Sequence, residues 1–190
     1  MSPGSMKIAL TGGIACGKSL LSKFLNELGV ETLDADDVVH ELIPDPAERR
    51  RIAAEVFADP AKRRALEAKL HPLVKQRIDD WLSAPAPKSS NLRTAVIPLL
   101  FEAHWEKNFD IICCVVSSRE KQIERMTTTR GMTRAEAEAR LAAQLPVEEK
   151  ARRSHYVIRN DGTPEELKAK AKAFVDWLSK RSSAMTLKDE

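Results

Sequence analysis

Gly12-Gly13-Ile14-Ala15-Cys16-Gly17-Lys18-Ser19 fits the pattern G-x-x-x-x-G-K-[ST] at every position. An apolar run, Ile8-Ala9-Leu10-Thr11, precedes it, and Leu21, Phe24, Leu25 and Leu28 follow at helical spacing. Strand, loop and helix in that order is the setting in which such a loop binds phosphate. Glycines let consecutive backbone N–H groups turn inward around an anion, and the helix beginning near Gly17 aims its positive dipole end at the same place. Lys18 reaches the β- and γ-phosphates, and Ser19 offers its hydroxyl to Mg²⁺. The stretch from Gly12 through Leu20 therefore reads as a nucleotide-binding loop, with Cys16 a small loop residue rather than a redox group.

Working outward, 190 residues suffice for one well-filled α/β core with appendages and are too few for two full domains. A content of 43% apolar and 31% charged residues fits a packed core under many solvated helix faces. The net charge of only +3 argues against general nucleic-acid binding. Cys16, Cys113 and Cys114 form no disulfide framework, and the last two look like buried strand residues in a reducing compartment. No apolar run approaches a membrane span and no apolar signal core precedes the first strand, so a cytoplasmic protein is expected. Residues 1–5 read as an extension ahead of a start at Met6.

After the first helix Gly29 is a stop signal, and Val30-Glu31-Thr32-Leu33 reads as a second strand ending at Asp34-Ala35-Asp36-Asp37. Carboxylates just past a strand end face the ligand in an open parallel sheet. The alternative, for Asp34 and Asp37 more than Asp36, is that they cap a helix beginning around Val38. From 44 to 81 the pattern is helical and highly charged, an inserted unit in which Leu66, Leu70, Leu73 and Trp81 line one face and Pro72 implies a kink or a break after His71. His71 by itself reads as structural. Residues 83–91 form a surface loop.

Thr94-Ala95-Val96-Ile97 is the third strand, and Glu102 soon after it either meets substrate or starts a helix. Ile111-Ile112-Cys113-Cys114-Val115-Val116 is a central fourth strand, with Ser117-x-x-Glu120 capping the next helix. Two helices around Gly131, the second opened by Thr133-x-x-Glu136, carry Arg125, Arg130, Arg134 and Arg140. They read as a lid with two of the four arginines serving phosphate, while Glu124, Glu136 and Glu138 are available as partners for the others. Tyr156-Val157-Ile158 is the last strand. A third cap, Thr163-Pro164-Glu165-Glu166, opens a final helix amphipathic through Leu167, Ala171, Phe174 and Leu178, and the pattern is lost after Ser182.

Alternating strands and helices behind this loop give a doubly wound, parallel, five-stranded α/β sheet whose strand order is not legible. Thr11-Gly-Gly-Ile-Ala-Cys-Gly-Lys-Ser19, Leu33-Asp-Ala-Asp36, Leu70-His-Pro72, Ile97-Pro-Leu-Leu-Phe-Glu102, the lid over 125–144 and Val157-Ile-Arg-Asn160 resemble the dephospho-coenzyme A kinase family, in order, over about residues 7–178. The resemblance implies the P-loop kinase fold with a helical substrate-binding insertion (44–90) and a lid (about 119–144) on a core of 6–43 and 91–182, followed by a tail, 183–190. It implies phosphorylation of the ribose 3′-hydroxyl of dephospho-coenzyme A by MgATP. Asp36 matches the family's base; Lys18, Arg125 and Arg140 stabilise the transferring phosphoryl group with Mg²⁺ at Ser19. Asp34, His71, Leu100 and Glu102 lie on the acceptor side with Asp36, and Asn160 lies at the adenine.

Two departures stand out. The family carries a longer segment where this chain has only residues 43–55, and Ala-Asp where this chain has Ser154-His155. A monomer acting on small molecules is expected, with no nucleic-acid or membrane partner. Two alternatives remain at this level: another small-molecule or nucleoside monophosphate kinase, and a regulatory ATP-binding protein that has lost its acceptor site.

Overall fold

Ile8 and Leu10 point to one side of a strand and Ala9 to the other, so both faces of the first strand need cover. In the computed structural model, which describes residues 6–84 and 92–186, the elements follow in the order β1 (Lys7–Gly12), α1 (Lys18–Glu27), β2 (Glu31–Asp34), α2 (Ala35–Leu42), α3 (Pro46–Ala58), α4 (Pro60–Ser83), β3 (Arg93–Val96), β4 (Ile111–Val116), α5 (Arg119–Arg130), α6 (Arg134–Ala142), α7 (Val147–Arg152), β5 (Tyr156–Arg159) and α8 (Pro164–Thr186). The five strands are parallel in the order β2-β3-β1-β4-β5. β1 is the middle strand; β4 is interior beside it and buried along its whole length. Cys113 and Cys114 are buried there as expected.

Each face has its own core. Ile8, Leu10 and Val115 pack under α1 and α8, where Leu167, Ala171, Phe174 and Leu178 are all buried. On the other face Ala9, Ala95 and Ile112 meet Val38 of α2 and Val74, Ile78 and Leu82 of α4. Helices on both faces make the sheet doubly wound. Asp34 aligns with Val96 and Gly12 with Val115, so the loops after the strands share one edge.

Several local readings change. α2 begins at Ala35, earlier than Val38, because the Asp34 carboxylate accepts the Asp36 N–H at 2.9 Å and caps it. α4 runs unbroken past His71: Pro72 and Ala68, whose carbonyl loses its usual N–H partner, both lie on the exposed side. The helix boundary falls instead at Asp59, which accepts the N–H groups of Ala61 and Lys62 ahead of Pro60 in the first turn. The buried stripe of α4 is Val74, Ile78 and Leu82, while Leu73 is 52% exposed, so the apolar face sits one residue further along than the expected one.

Ser118, not Ser117, caps α5. The Thr133/Glu136 capping box is present, and Thr163 accepts the Glu166 N–H at 3.3 Å. α7 had no counterpart in the sequence reading, and α8 continues to Thr186 rather than ending near Ser182. The extension 1–5, most of the 83–91 loop and the last four residues of the tail lie outside the described residues. No described helix is long and apolar enough to cross a membrane, and no cluster of three metal-ligating residues occurs among the described residues.

Candidate phosphoryl-transfer site

The loop between β1 and α1 is built around Gly17, whose φ of 95° is left-handed. A methyl group there would lie 2.3 Å from Asn160 Nδ2, which itself donates to the Cys16 carbonyl at 2.8 Å. No side chain caps the start of α1. Its first N–H groups and its dipole are thus kept for an anion, which fits a phosphate group. Lys18 folds back over the loop, with Nζ donating to Gly13 O at 2.9 Å and Gly12 O at 3.2 Å. Burial lowers the Lys18 pKa from the ordinary lysine value; the charge of Lys150 acts in the same sense, and Cys16 and Asp34 oppose it. Phosphate oxygens in the loop would favour the charged ammonium.

Side chains of α5 and of the segment after α6 hold this loop. Gln122 Nε2 donates to Ile14 O at 2.7 Å, and Gln144 Oε1 accepts the Ile14 N–H at 3.2 Å. Arg125 donates to Ala15 O at 3.1 Å, Ser117 Oγ at 3.0 Å and Asn160 O at 2.8 Å, while Ser117 donates to Asn160 O at 2.7 Å. Arg125 is therefore fixed to the loop and to the end of β5. Arg130, Arg134 and Arg140 stand exposed, Arg134 paired with Glu138 at 3.2 Å. Glu124 pairs with Lys121, and Glu136 serves the Thr133 cap, whose hydrogen bonds hold its carboxyl below the usual range.

Ser19, Asp34 and Asp37 line one open groove together with Thr32 and Val96. Burial raises the Asp34 pKa, with the charges of Asp36 and Asp37 adding to it; the cap bond to Asp36 N and the Lys18 ammonium work against the rise. These are hard oxygen donors and suit Mg²⁺. Asp36 is exposed in the first turn of α2, next to this groove but not among its lining residues. His71 stands edge-on to Trp105, ring centres 5.6 Å apart. Leu100 is fully buried in the second core.

Glu102 starts no helix: the chain turns on to His104, and Glu102 Oε1 pairs with Lys150 Nζ at 2.7 Å and accepts the Leu145 N–H at 3.0 Å. Sequence reasoning missed Lys150, Gln122, Gln144 and the inward turn of Ser117. Gln122 adjoins the buried Ile123 and Met126 on α5, a stripe that could have flagged it. Nothing in a run such as Glu148-Glu149-Lys150 marks a lysine as buried.

A family model of dephospho-CoA kinases matches residues 6–48 and 44–166. The dephospho-CoA kinase of Synechococcus sp. (strain JA-3-3Ab) is 37% identical over an alignment that takes in 87% of this chain and 89% of the relative. The chain belongs to the dephospho-CoA kinase family. Among solved structures, TT1252 from Thermus thermophilus superimposes with a TM-score of 0.76 at 32% identity, covering 93% of this chain and 99% of that one. The dephospho-CoA kinase from Campylobacter jejuni has the same fold, with a TM-score of 0.70 at 21% identity over 93% and 98% of the two chains. The dephospho-CoA kinase motifs quoted above are gathered by the fold along the C-terminal edge of the sheet: the loop after β1, the carboxylates after β2, the turn after β3 and Asn160 after β5. His71, on α4, and Arg140, on α6, come from outside the sheet.

Proposed function

We propose that this member of the dephospho-CoA kinase family transfers the γ-phosphoryl group of ATP to the ribose 3′-hydroxyl of dephospho-CoA, giving CoA and ADP, the last step of CoA biosynthesis. The observation that carries the reading is the uncapped start of α1, with Lys18 curled over the loop and the next residue, Ser19, sharing a groove with Asp34 and Asp37. That is a phosphate seat beside a carboxylate-lined opening. Phosphoryl transfer needs positioning and charge neutralisation more than covalent chemistry.

In this reading the acceptor oxygen bonds to the γ-phosphorus as the bond to the ADP oxygen breaks, and Asp36 takes the hydroxyl proton. Its exposure in the first turn of α2, between the groove residues Asp34 and Asp37, supports that role. Asp34 orients the α2 turn that carries Asp36, through its cap bond. Lys18 follows the charge on the transferring group, and Arg125 keeps the loop in shape. Arg140 is carried on α6 and meets the phosphates when the lid shuts and excludes water. Mg²⁺, when bound, would be held by Ser19 with Asp34 and Asp37 in support, and would neutralise phosphate charge. Asn160 borders the adenine.

His71, Leu100 and Glu102 shape the acceptor side, with α3 and α4 as a shortened acceptor-binding unit; the two parts of the family match meet in the same stretch, at 44–48. A cytoplasmic monomer with small-molecule partners completes the proposal. Its test is ADP release from MgATP by the purified protein with dephospho-CoA, compared with shikimate, gluconate and AMP as acceptors. Stimulation by dephospho-CoA alone is expected. Stimulation by another acceptor, or none by any, would overturn it.

A further inference from the structure

Lys150 is 0% exposed, on α7, with an ammonium group that the phosphate cradle does not use directly. An apolar side chain would bury there at no electrostatic cost, whereas a charge taken out of water must be repaid by well-placed partners. Those partners are specific. Nζ donates to Pro98 O at 3.0 Å and pairs with Glu102 Oε1 at 2.7 Å, so one ammonium holds both ends of the turn 98–102 that leaves β3. Thr11, at the end of β1, also reaches the Pro98 carbonyl, at 3.4 Å. The same Glu102 oxygen accepts the Leu145 N–H, directly after Gln144, whose side chain holds the Ile14 N–H of the phosphate loop. The turn begins beside the carboxylates, since Val96 aligns with Asp34, and presents Leu99, 44% exposed, directly after Pro98.

We infer that Lys150 is a positioning residue for the acceptor: with Glu102 it forms a buried strut that fixes the 98–102 turn and the lid root at Leu145 in one geometry against the phosphate loop. The inference rests on the function proposed above. Glu102 then acts through the turn it anchors and not only by touching substrate. Lys150 makes no hydrogen bond to the start of α1 or to Lys18, the groups on which ATP sits, and reaches Lys18 only through its charge, so loss of the strut weighs on the acceptor more than on ATP. Misplacing an acceptor by about 1 Å costs on the order of 100-fold in transfer, which sets the scale of the effect.

The test is steady-state kinetics of Lys150→Met, Glu102→Gln and the double variant, with each substrate varied in turn and folding checked by thermal melting. The strut predicts an acceptor kcat/KM lowered about 100-fold in Lys150→Met, an ATP KM that changes less than the acceptor's, and a double variant no worse than the worse single one. If Lys150→Met does not fold, Lys150→Arg is read instead: it keeps the charge but pushes Glu102 and the Pro98 carbonyl apart, and the same split is expected. An unchanged acceptor kcat/KM in the folded variant, or equal KM rises for both substrates, overturns the inference. A parent enzyme without dephospho-CoA-dependent ADP release overturns the proposed function itself and the strut with it, so the two failures are told apart by the parent alone.

Discussion

Replacing Gly17 by alanine perturbs the nucleotide loop in two ways that can be separated. The first is the backbone: a left-handed φ costs an L-residue about 1–2 kcal/mol. The second is contact. The new methyl would sit 2.3 Å from Asn160 Nδ2, where about 3.5 Å is the closest comfortable approach, so the amide must retreat by more than 1 Å. That breaks its 2.8 Å bond to Cys16 O, at a cost of about 1–3 kcal/mol if the carbonyl is left buried and unpaired. The sum is about 2–5 kcal/mol.

Gly29 supplies the control: its φ of 84° is also left-handed, but a methyl there meets nothing within 4 Å, so Gly29→Ala carries the backbone cost alone. Urea melts of the two variants should differ by the contact cost, about 1–3 kcal/mol, with Gly17→Ala the weaker. Adding Asn160→Ala to Gly17→Ala removes the collision, so the double variant should be less destabilised than the sum of the singles. Equal losses for Gly17→Ala and Gly29→Ala, or strict additivity with Asn160→Ala, would refute the claim that the loop is packed against Asn160.

Lys18→Ala should abolish transfer, whereas Asp36→Asn should cut turnover about 100-fold or more while ATP affinity, read by calorimetry, stays within about twofold. Asp34→Asn probes pH. The folded pKa of Asp34 is raised above its unfolded value, so the stability linked to it is present below the ordinary aspartate value of about 3.9 and is lost as pH rises through the folded value. Asparagine caps α2 as well as aspartate does, so the variant should melt above the parent at neutral pH and the gap should close toward pH ~4; a gap that widens in acid would contradict the assignment. On α4, Ile78→Ala should cost about 2–5 kcal/mol and Leu73→Ala less than about 0.5 kcal/mol, and comparable losses in chemical denaturation would show the buried face is misplaced.

What the residues declared in advance was whatever depends on local pattern. The phosphate loop, the apolar β4 and the stripe Leu167, Ala171, Phe174 and Leu178 each carry their own periodicity or spacing, and all lie where that pattern puts them. Strand order is set by which faces remain to be covered after distant segments meet, so no local signal could give β2-β3-β1-β4-β5. Adjacent candidates were hard to separate for the same reason. Ser117 and Ser118 are equivalent as letters, but only Ser118 stands outside the helix start, while Ser117 turns in to Asn160 and Arg125.

Pro72 reads as a break because its missing N–H always costs a bond; the helix runs through with Pro72 and Ala68 on its exposed side, where water can meet the freed carbonyl. Asp34 was open between ligand and cap. Its carboxylate does cap α2 and also lines the Ser19 groove, since a cap residue at a strand end is at the ligand edge as well. Lys150 was invisible because burial of a charge depends on partners at residues 98 and 102, far away in the chain.

The central claim is tested most directly by the mass spectrum of the product formed from dephospho-CoA and MgATP by the purified protein. A product heavier by one phosphoryl group, carrying it on the ribose 3′-oxygen and absent with Lys18→Ala, is the predicted result. Unchanged dephospho-CoA while ATP binds tightly, or a phosphoryl group at another position, would contradict the account.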